Sequence, residues 1–122
     1  MKKYLTIIVI LLLLCAGCKV KNGKTKGEYK MVTCEEKNEM IQNGAILLDV
    51  RSASEYDEDH LDGAINLEYT ELESKFNNLG YTKETKIVVY CRSGKRSSIA
   101  AETLKKMGYL YVYDLGSINN CK

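Results

Sequence analysis

Five short apolar runs recur along this chain with polar, helix-like stretches between them, and that alternation restricts the fold more than any other feature. The runs are Tyr29 to Val32, Ile46 to Val50, Ala64 to Leu67, Ile87 to Tyr90 and Tyr111 to Leu115. Each is of strand length, and the stretches between most of them are long enough to cross back over a sheet. The pattern predicts an α/β domain: a central, mostly parallel sheet of about five strands with helices on both faces. With 122 residues, 45% of them hydrophobic, the chain has enough material for one such core and no second domain.

Start and stop signals support the helices. A Ser or Thr followed three residues later by Glu, as in Thr33/Glu36, Ser52/Glu55 and Thr70/Glu73, is the pattern in which hydroxyl and carboxylate each satisfy an orphan backbone N–H. Gly44, Gly80 and Gly108 stand where a left-handed residue ends helices after Asn43, Leu79 and Met107. Leu72, Phe76 and Leu79, and then Ile99, Thr103, Leu104 and Met107, are spaced as apolar stripes that face the sheet.

The first residues read differently. Lys2 and Lys3 precede an apolar run from Leu5 to Leu14 that ends in Cys15-Ala16-Gly17-Cys18, the make-up of a secretory leader too short to span a bilayer permanently. Ala16-Gly17-Cys18 resembles the lipobox of bacterial lipoproteins, with Cys15 where Leu is usual, which makes residues 1–17 a signal peptide and Cys18 the lipidated residue, a palmitate-bearing anchor. An ordinary cleaved signal and a non-cleaved anchor are the alternatives. Residues 18–27, poor in apolar side chains, form a flexible tether, and the domain occupies residues 28–122. This reading implies an extracytoplasmic protein lipid-anchored to a bacterial membrane.

Charge follows from that division. Without Lys2 and Lys3 the 18 basic residues become 16, against 16 acidic ones; without Lys19, Lys21, Lys24 and Lys26 the body has 12 basic side chains and a net charge of −4. That balance argues against nucleic acid as the partner. Setting Cys15 and Cys18 aside leaves Cys34, Cys91 and Cys121, an odd number that requires at least one free thiol.

Chemistry concentrates at one of these cysteines. Lys86-Ile87-Val88-Val89-Tyr90 is a buried-strand pattern that runs into Cys91-Arg92-Ser93-Gly94-Lys95-Arg96 and then into a helix from Ser97 to Met107. In an open parallel sheet the carboxyl ends of the strands border the ligand crevice, so Cys91 stands at a site. Backbone N–H groups around Ser93 and Gly94 can form an anion nest, the helix offers its positive end, and Arg92, Lys95 and Arg96 add full charges. Such a cradle stabilises negative charge on sulfur and holds an anionic substrate in line with it.

CRSGKRS after an apolar strand resembles the active-site loop of rhodanese domains, and LLDVRSASEYDEDHLDGAINL resembles the segment that precedes it in that family; with DLGSIN the likeness runs from Met31 to Asn120. The resemblance implies a single rhodanese-like domain that needs no cofactor and no metal. Cys91 then takes sulfane sulfur from a donor such as thiosulfate as a persulfide, held by N–H groups of Arg92 to Arg96, and passes it to a thiol or cyanide. It also implies a substrate-binding role for Arg92, Ser93, Gly94, Lys95 and Arg96, and for Asp49 and Arg51 at the end of the second strand, where a strand-end ion pair is an equal reading. Four residues separate Cys91 from Arg96. Related phosphatases and arsenate reductases have five there, so sulfur fits this loop better than phosphate. Arg92 after the nucleophile leans towards thiosulfate.

Other residues carry lesser expectations. His60 organises a turn, and Glu55 acts first as a helix cap and only then as an acid near the loop. Cys34 is read as a small buried hydrophobe rather than a redox residue. Cys121 is an inert tail residue or a second thiol able to reach Cys91, and with Ser117 in place of the family's second Gly the closure of that edge stays open. Three functions are consistent with this reading: a sulfurtransferase, a persulfide carrier served by a protein partner, and a thiol-disulfide redox protein.

Overall fold

The computed structural model describes residues 29–122, and the expected signal peptide, the lipidated Cys18 and the tether lie outside that range. Five strands form one parallel sheet in the order β1-β5-β4-β2-β3, with β1 Lys30–Met31, β2 Ile46–Asp49, β3 Ile65–Asn66, β4 Lys86–Cys91 and β5 Tyr111–Ser117. The longest strands sit at the centre, where β4 pairs with both β2 and β5. The helices are α1 Cys34–Gln42, α2 Ala53–Glu58, a single-turn α3 Leu72–Lys75 flanked by 3-10 turns, and α4 Lys95–Lys106; a last 3-10 turn spans Ile118–Cys121.

Period-two alternation in β4 divides the core. Ile87, Val89 and Cys91 point to the face covered by Leu72, Phe76, Ala100, Ala101 and Leu104, while Val88 and Tyr90 point to the face of Leu61, Ile118 and the half-buried Met40, Ile41 and Tyr56. All five side chains from Ile87 to Cys91 are fully buried. Helices therefore cover both faces, and the strand carries the cysteine inward under the start of α4.

Thr33 and Ser52 cap α1 and α2 in complete boxes with Glu36 and Glu55. Thr70 does not cap a helix. Leu67 and Tyr69 N–H groups donate to Asp49 and Val50 carbonyls, so the chain turns helical already at Tyr69, and Thr70 falls inside a 3-10 turn. Gly44, Gly80 and Gly108 all have positive φ where the helices end.

The stripe on α4 also differs from the expected one. Ser97, Ala100, Ala101 and Leu104 are buried, Ile99 is 43% exposed and Met107 is only partly buried. Small alanines let the helix axis lie close to the sheet, which shifts the buried phase away from the bulkier residues. Likewise Leu79, at the end of its turn, is exposed while Leu72 and Phe76 are fully buried.

Cys34 and Cys121 form a disulfide across 87 residues, with Cα atoms 5.3 Å apart. Neither is the inert hydrophobe or tail thiol expected from sequence. The fold lays the C-terminal turn against the first residue of α1, and two thiols so placed can bond. Closing so long a loop constrains the unfolded chain and contributes about 4 kcal/mol. Urea unfolding in dithiothreitol is therefore expected to bring the wild type down to the stability of the Cys34→Ser/Cys121→Ser variant, whereas a midpoint indifferent to reductant would contradict this.

Candidate active site

Cys91 is the free cysteine among the described residues, and its side chain is fully buried. It ends β4, and the loop that follows wraps over the sulfur: Gly94 N–H donates to Sγ at 2.9 Å. That return is possible because Gly94 has φ +97°, a left-handed conformation in which β-branched and bulky residues are strained. Gly94 also lies against Gly116, and a Cβ on it would come within 3.6 Å of Gly116 Cα.

Beyond Gly94 the chain enters α4 at once, two residues earlier than expected, so Lys95 and Arg96 lie in its first turn rather than in a loop. Two bonds fix the Gly94 carbonyl, from the Ser97 hydroxyl at 3.0 Å and from Ser98 N–H at 3.2 Å. Arg92, Ser93 and Lys95 are exposed at the mouth, where Arg92 and Lys95 supply positive charge to an approaching anion.

Arg96 is already engaged. Its guanidinium binds Glu55 in a two-pronged pair at 2.6 and 2.9 Å, joining the start of α4 to the start of α2. The Arg96 bond, more than the Ser52 cap, holds the Glu55 carboxyl down at about 2, well below its usual range. Glu55 is thus a partner of the loop as much as a cap.

The sign of the pH effect follows. A folded-state value below the unfolded value of 4.5 contributes stability that is fully present above pH 4.5 and lost as pH falls towards 2. Both side chains are about a quarter exposed, so water screens the pair and its contribution is about 1 kcal/mol. The stability difference between wild type and Glu55→Gln, measured by urea unfolding, is expected to be largest near neutral pH and to vanish near pH 2. A difference that stays constant over that range would contradict the assignment.

Asp49 and Arg51 form the buried ion pair at the end of β2. Arg51 Nε and a terminal nitrogen reach the Asp49 carboxylate at 3.0 and 2.7 Å, Arg51 N–H donates to it at 2.9 Å, and the Tyr90 hydroxyl donates at 2.9 Å. Burial pushes the Tyr90 hydroxyl up, so it stays a proton donor here. The same guanidinium also donates to the Asp59 carbonyl at the end of α2 and, with Arg92, lines a shallow polar depression that includes Glu58, Asn119 and Lys122. His60 stacks on Tyr56, with its Nδ1 2.9 Å from the Tyr56 carbonyl, as a turn-organising residue does.

Two residues of the site, Asp114 and Ser97, were given no role from the sequence, and a third, Ser117, was marked there only as a departure from the family's glycine. Asp114 in β5 is buried and accepts the Gly116 N–H at 2.8 Å; burial raises its carboxyl, opposed by Ser97 and by that N–H. Ser97 fixes the Gly94 carbonyl from α4. Ser117 donates to the Arg92 carbonyl at 2.6 Å while accepting Asn119 N–H at 3.1 Å. Cys121 belongs to the opposite face of the sheet, so its sulfur is not the second thiol of this site.

Comparisons with known proteins agree with this geometry. The model of the rhodanese-like domain matches residues 33–120. "Thiosulfate sulfurtransferase PspE" of Escherichia coli is 33% identical over 73 residues, which are 60% of this chain and 70% of that protein. "Putative sulfur carrier protein YrkF" of Bacillus subtilis is 38% identical over 69 residues, 57% of this chain but only 36% of that longer protein. Among solved structures, the human single-domain sulfurtransferase TSTD1 superposes with a TM-score of 0.68 at 27% identity, covering 76% of this chain and 95% of its own.

Proposed function

The chain belongs to the family of rhodanese-like domains, and from that premise we propose that Cys91 carries sulfane sulfur as a persulfide in a sulfurtransferase reaction. The observation that carries this reading is the free cysteine at the end of a central strand, with Gly94 N–H on its sulfur and the cations of Arg92 and Lys95 at the mouth. A donor of thiosulfate type suits that mouth. The Cys91 thiolate attacks its outer sulfur, the S–S bond breaks, and sulfite leaves with the bonding electrons. The terminal sulfur of the persulfide is then attacked by cyanide or a thiol, which departs as thiocyanate or a new persulfide and returns Cys91 to the thiolate. Backbone N–H groups of the loop stabilise the sulfur anion without proton transfer. Ser93 and Gly94 serve that cradle, Arg92 and Lys95 attract the anion, and Arg96, Asp49 and Arg51 support its geometry.

Thiocyanate formation from thiosulfate and cyanide tests this reading. Turnover that saturates in thiosulfate and ceases on alkylation of Cys91 supports it; no turnover with thiosulfate, alongside uptake of sulfur from a protein persulfide, would favour the carrier.

Lipid anchoring at Cys18 is part of the proposal, resting on the leader and on Ala16-Gly17-Cys18. Metabolic labelling with palmitate, present in the wild type and lost in Cys18→Ser, is the expected result; label retained in the variant would contradict it.

A further inference from the structure

We propose that the Ser117 hydroxyl is a positioning residue for the sulfur cradle, holding the Arg92–Ser93 peptide of the loop closed over Cys91. The inference rests on the sulfur-transfer reading for its kinetic consequence, but not for its structural one. Ser117 is the last residue of β5 and the cap of the C-terminal 3-10 turn, with φ −84° and ψ 138°. Its oxygen accepts the Asn119 N–H at 3.1 Å, which orients the hydroxyl proton towards the Arg92 carbonyl 2.6 Å away. Because a peptide is planar and trans, fixing the Arg92 carbonyl fixes the Ser93 N–H on the opposite side. That group precedes the Gly94 N–H, which bonds the Cys91 sulfur at 2.9 Å.

The loop is thus held at both ends of its tip, by Ser117 on the Arg92 carbonyl and by Ser97 on the Gly94 carbonyl. The two holds differ in what supports them. Ser97 belongs to α4, whereas Ser117 leads into the turn that ends in Cys121 and is stapled by the disulfide to Cys34. A glycine at position 117 leaves the first hold without a donor.

Cys91 is fully buried, so any reagent must wait for the loop to open, and the Ser117 bond is one that opening breaks. Its loss makes opening easier by roughly fivefold, the worth of one modest hydrogen bond. The same loss lets the N–H groups wander from the sulfur and slows transfer by a similar factor. Ser117→Ala therefore speeds alkylation and slows transfer together, and a thermal midpoint close to that of the wild type separates this from a general loss of stability.

The experiment uses the whole protein as wild type, Ser117→Ala and Ser117→Thr. Two rates are read: alkylation of Cys91 by iodoacetamide, followed by mass, and thiocyanate formation from thiosulfate and cyanide, with the thermal midpoint alongside. The expected result is alkylation about fivefold faster in Ser117→Ala, kcat lower by roughly the same factor, KM for thiosulfate nearly unchanged because Arg92 and Lys95 remain, and both rates restored in Ser117→Thr, whose hydroxyl can occupy the same place. Unchanged alkylation in Ser117→Ala, or a threonine variant no better than alanine, would overturn the proposal. Were the wild type to form no thiocyanate, the sulfurtransferase reading would fall while the alkylation rates still decided the role of Ser117.

Discussion

Cys91→Ser is expected to lower thiocyanate formation by roughly a thousandfold or more while leaving the domain folded, because removal of a nucleophile eliminates the covalent route rather than weakening it. Serine is close to cysteine in size, and its oxygen can accept the Gly94 N–H that now bonds the sulfur. Burying a hydroxyl at this fully enclosed position costs about 1 kcal/mol once that bond is made. Steady-state assay and thermal unfolding of the same preparation separate the two effects. A variant that keeps substantial activity would place the sulfur elsewhere, and one that unfolds would make Cys91 a packing residue first.

Asp49→Ala carries the largest expected effect on stability. Asp49 is fully buried and accepts from the Arg51 side chain, the Arg51 N–H and the Tyr90 hydroxyl; Arg51 itself is 6% exposed. Without the carboxylate, a largely buried guanidinium at the edge of the polar depression keeps one hydrogen-bond partner, the Asp59 carbonyl. Stranding a buried charge in this way costs about 3–5 kcal/mol, a large share of the roughly 5–15 kcal/mol that holds a domain of this kind together. Replacing both members, as in Asp49→Leu/Arg51→Met, is expected to recover only the part of the loss that comes from the stranded charge, because the Tyr90 hydroxyl and the backbone N–H of residue 51 still lack the Asp49 acceptor. Urea unfolding of the single and double variants measures both. A loss under about 1 kcal/mol for Asp49→Ala would mean that water reaches the pair.

The sequence made the sheet and its nucleophile legible because both depend on local rules. Alternation in Lys86 to Cys91 sets which side chains face which layer, and a strand that ends in cysteine, followed by glycine and a helix, places the sulfur at the carboxyl edge. Thr33 and Ser52 were readable as caps because a capping box spans only four residues. Thr70 carries the same letters but was outvoted by backbone hydrogen bonds from Leu67 and Tyr69 to Asp49 and Val50, which a local pattern cannot contain. Glu55 shows the same limit from the other side: its cap was visible, its pairing with Arg96 across 41 residues was not. The Cys34–Cys121 bond could not be chosen from three remaining cysteines, since only the fold brings positions 87 residues apart together. Ser117 stood out only as a departure from the family's glycine, and its contact with Arg92 gives that departure a physical meaning.

The most direct test of the central claim is the intact mass of the protein, stripped of any carried sulfur with cyanide and then exposed to thiosulfate, beside Cys91→Ser treated in the same way. The account predicts that the wild type gains the mass of one sulfur atom, that a second cyanide treatment removes it as thiocyanate, and that the variant gains nothing. A sulfur gained equally by the variant, or no gain by a wild type whose Cys91 still reacts with iodoacetamide, would contradict it.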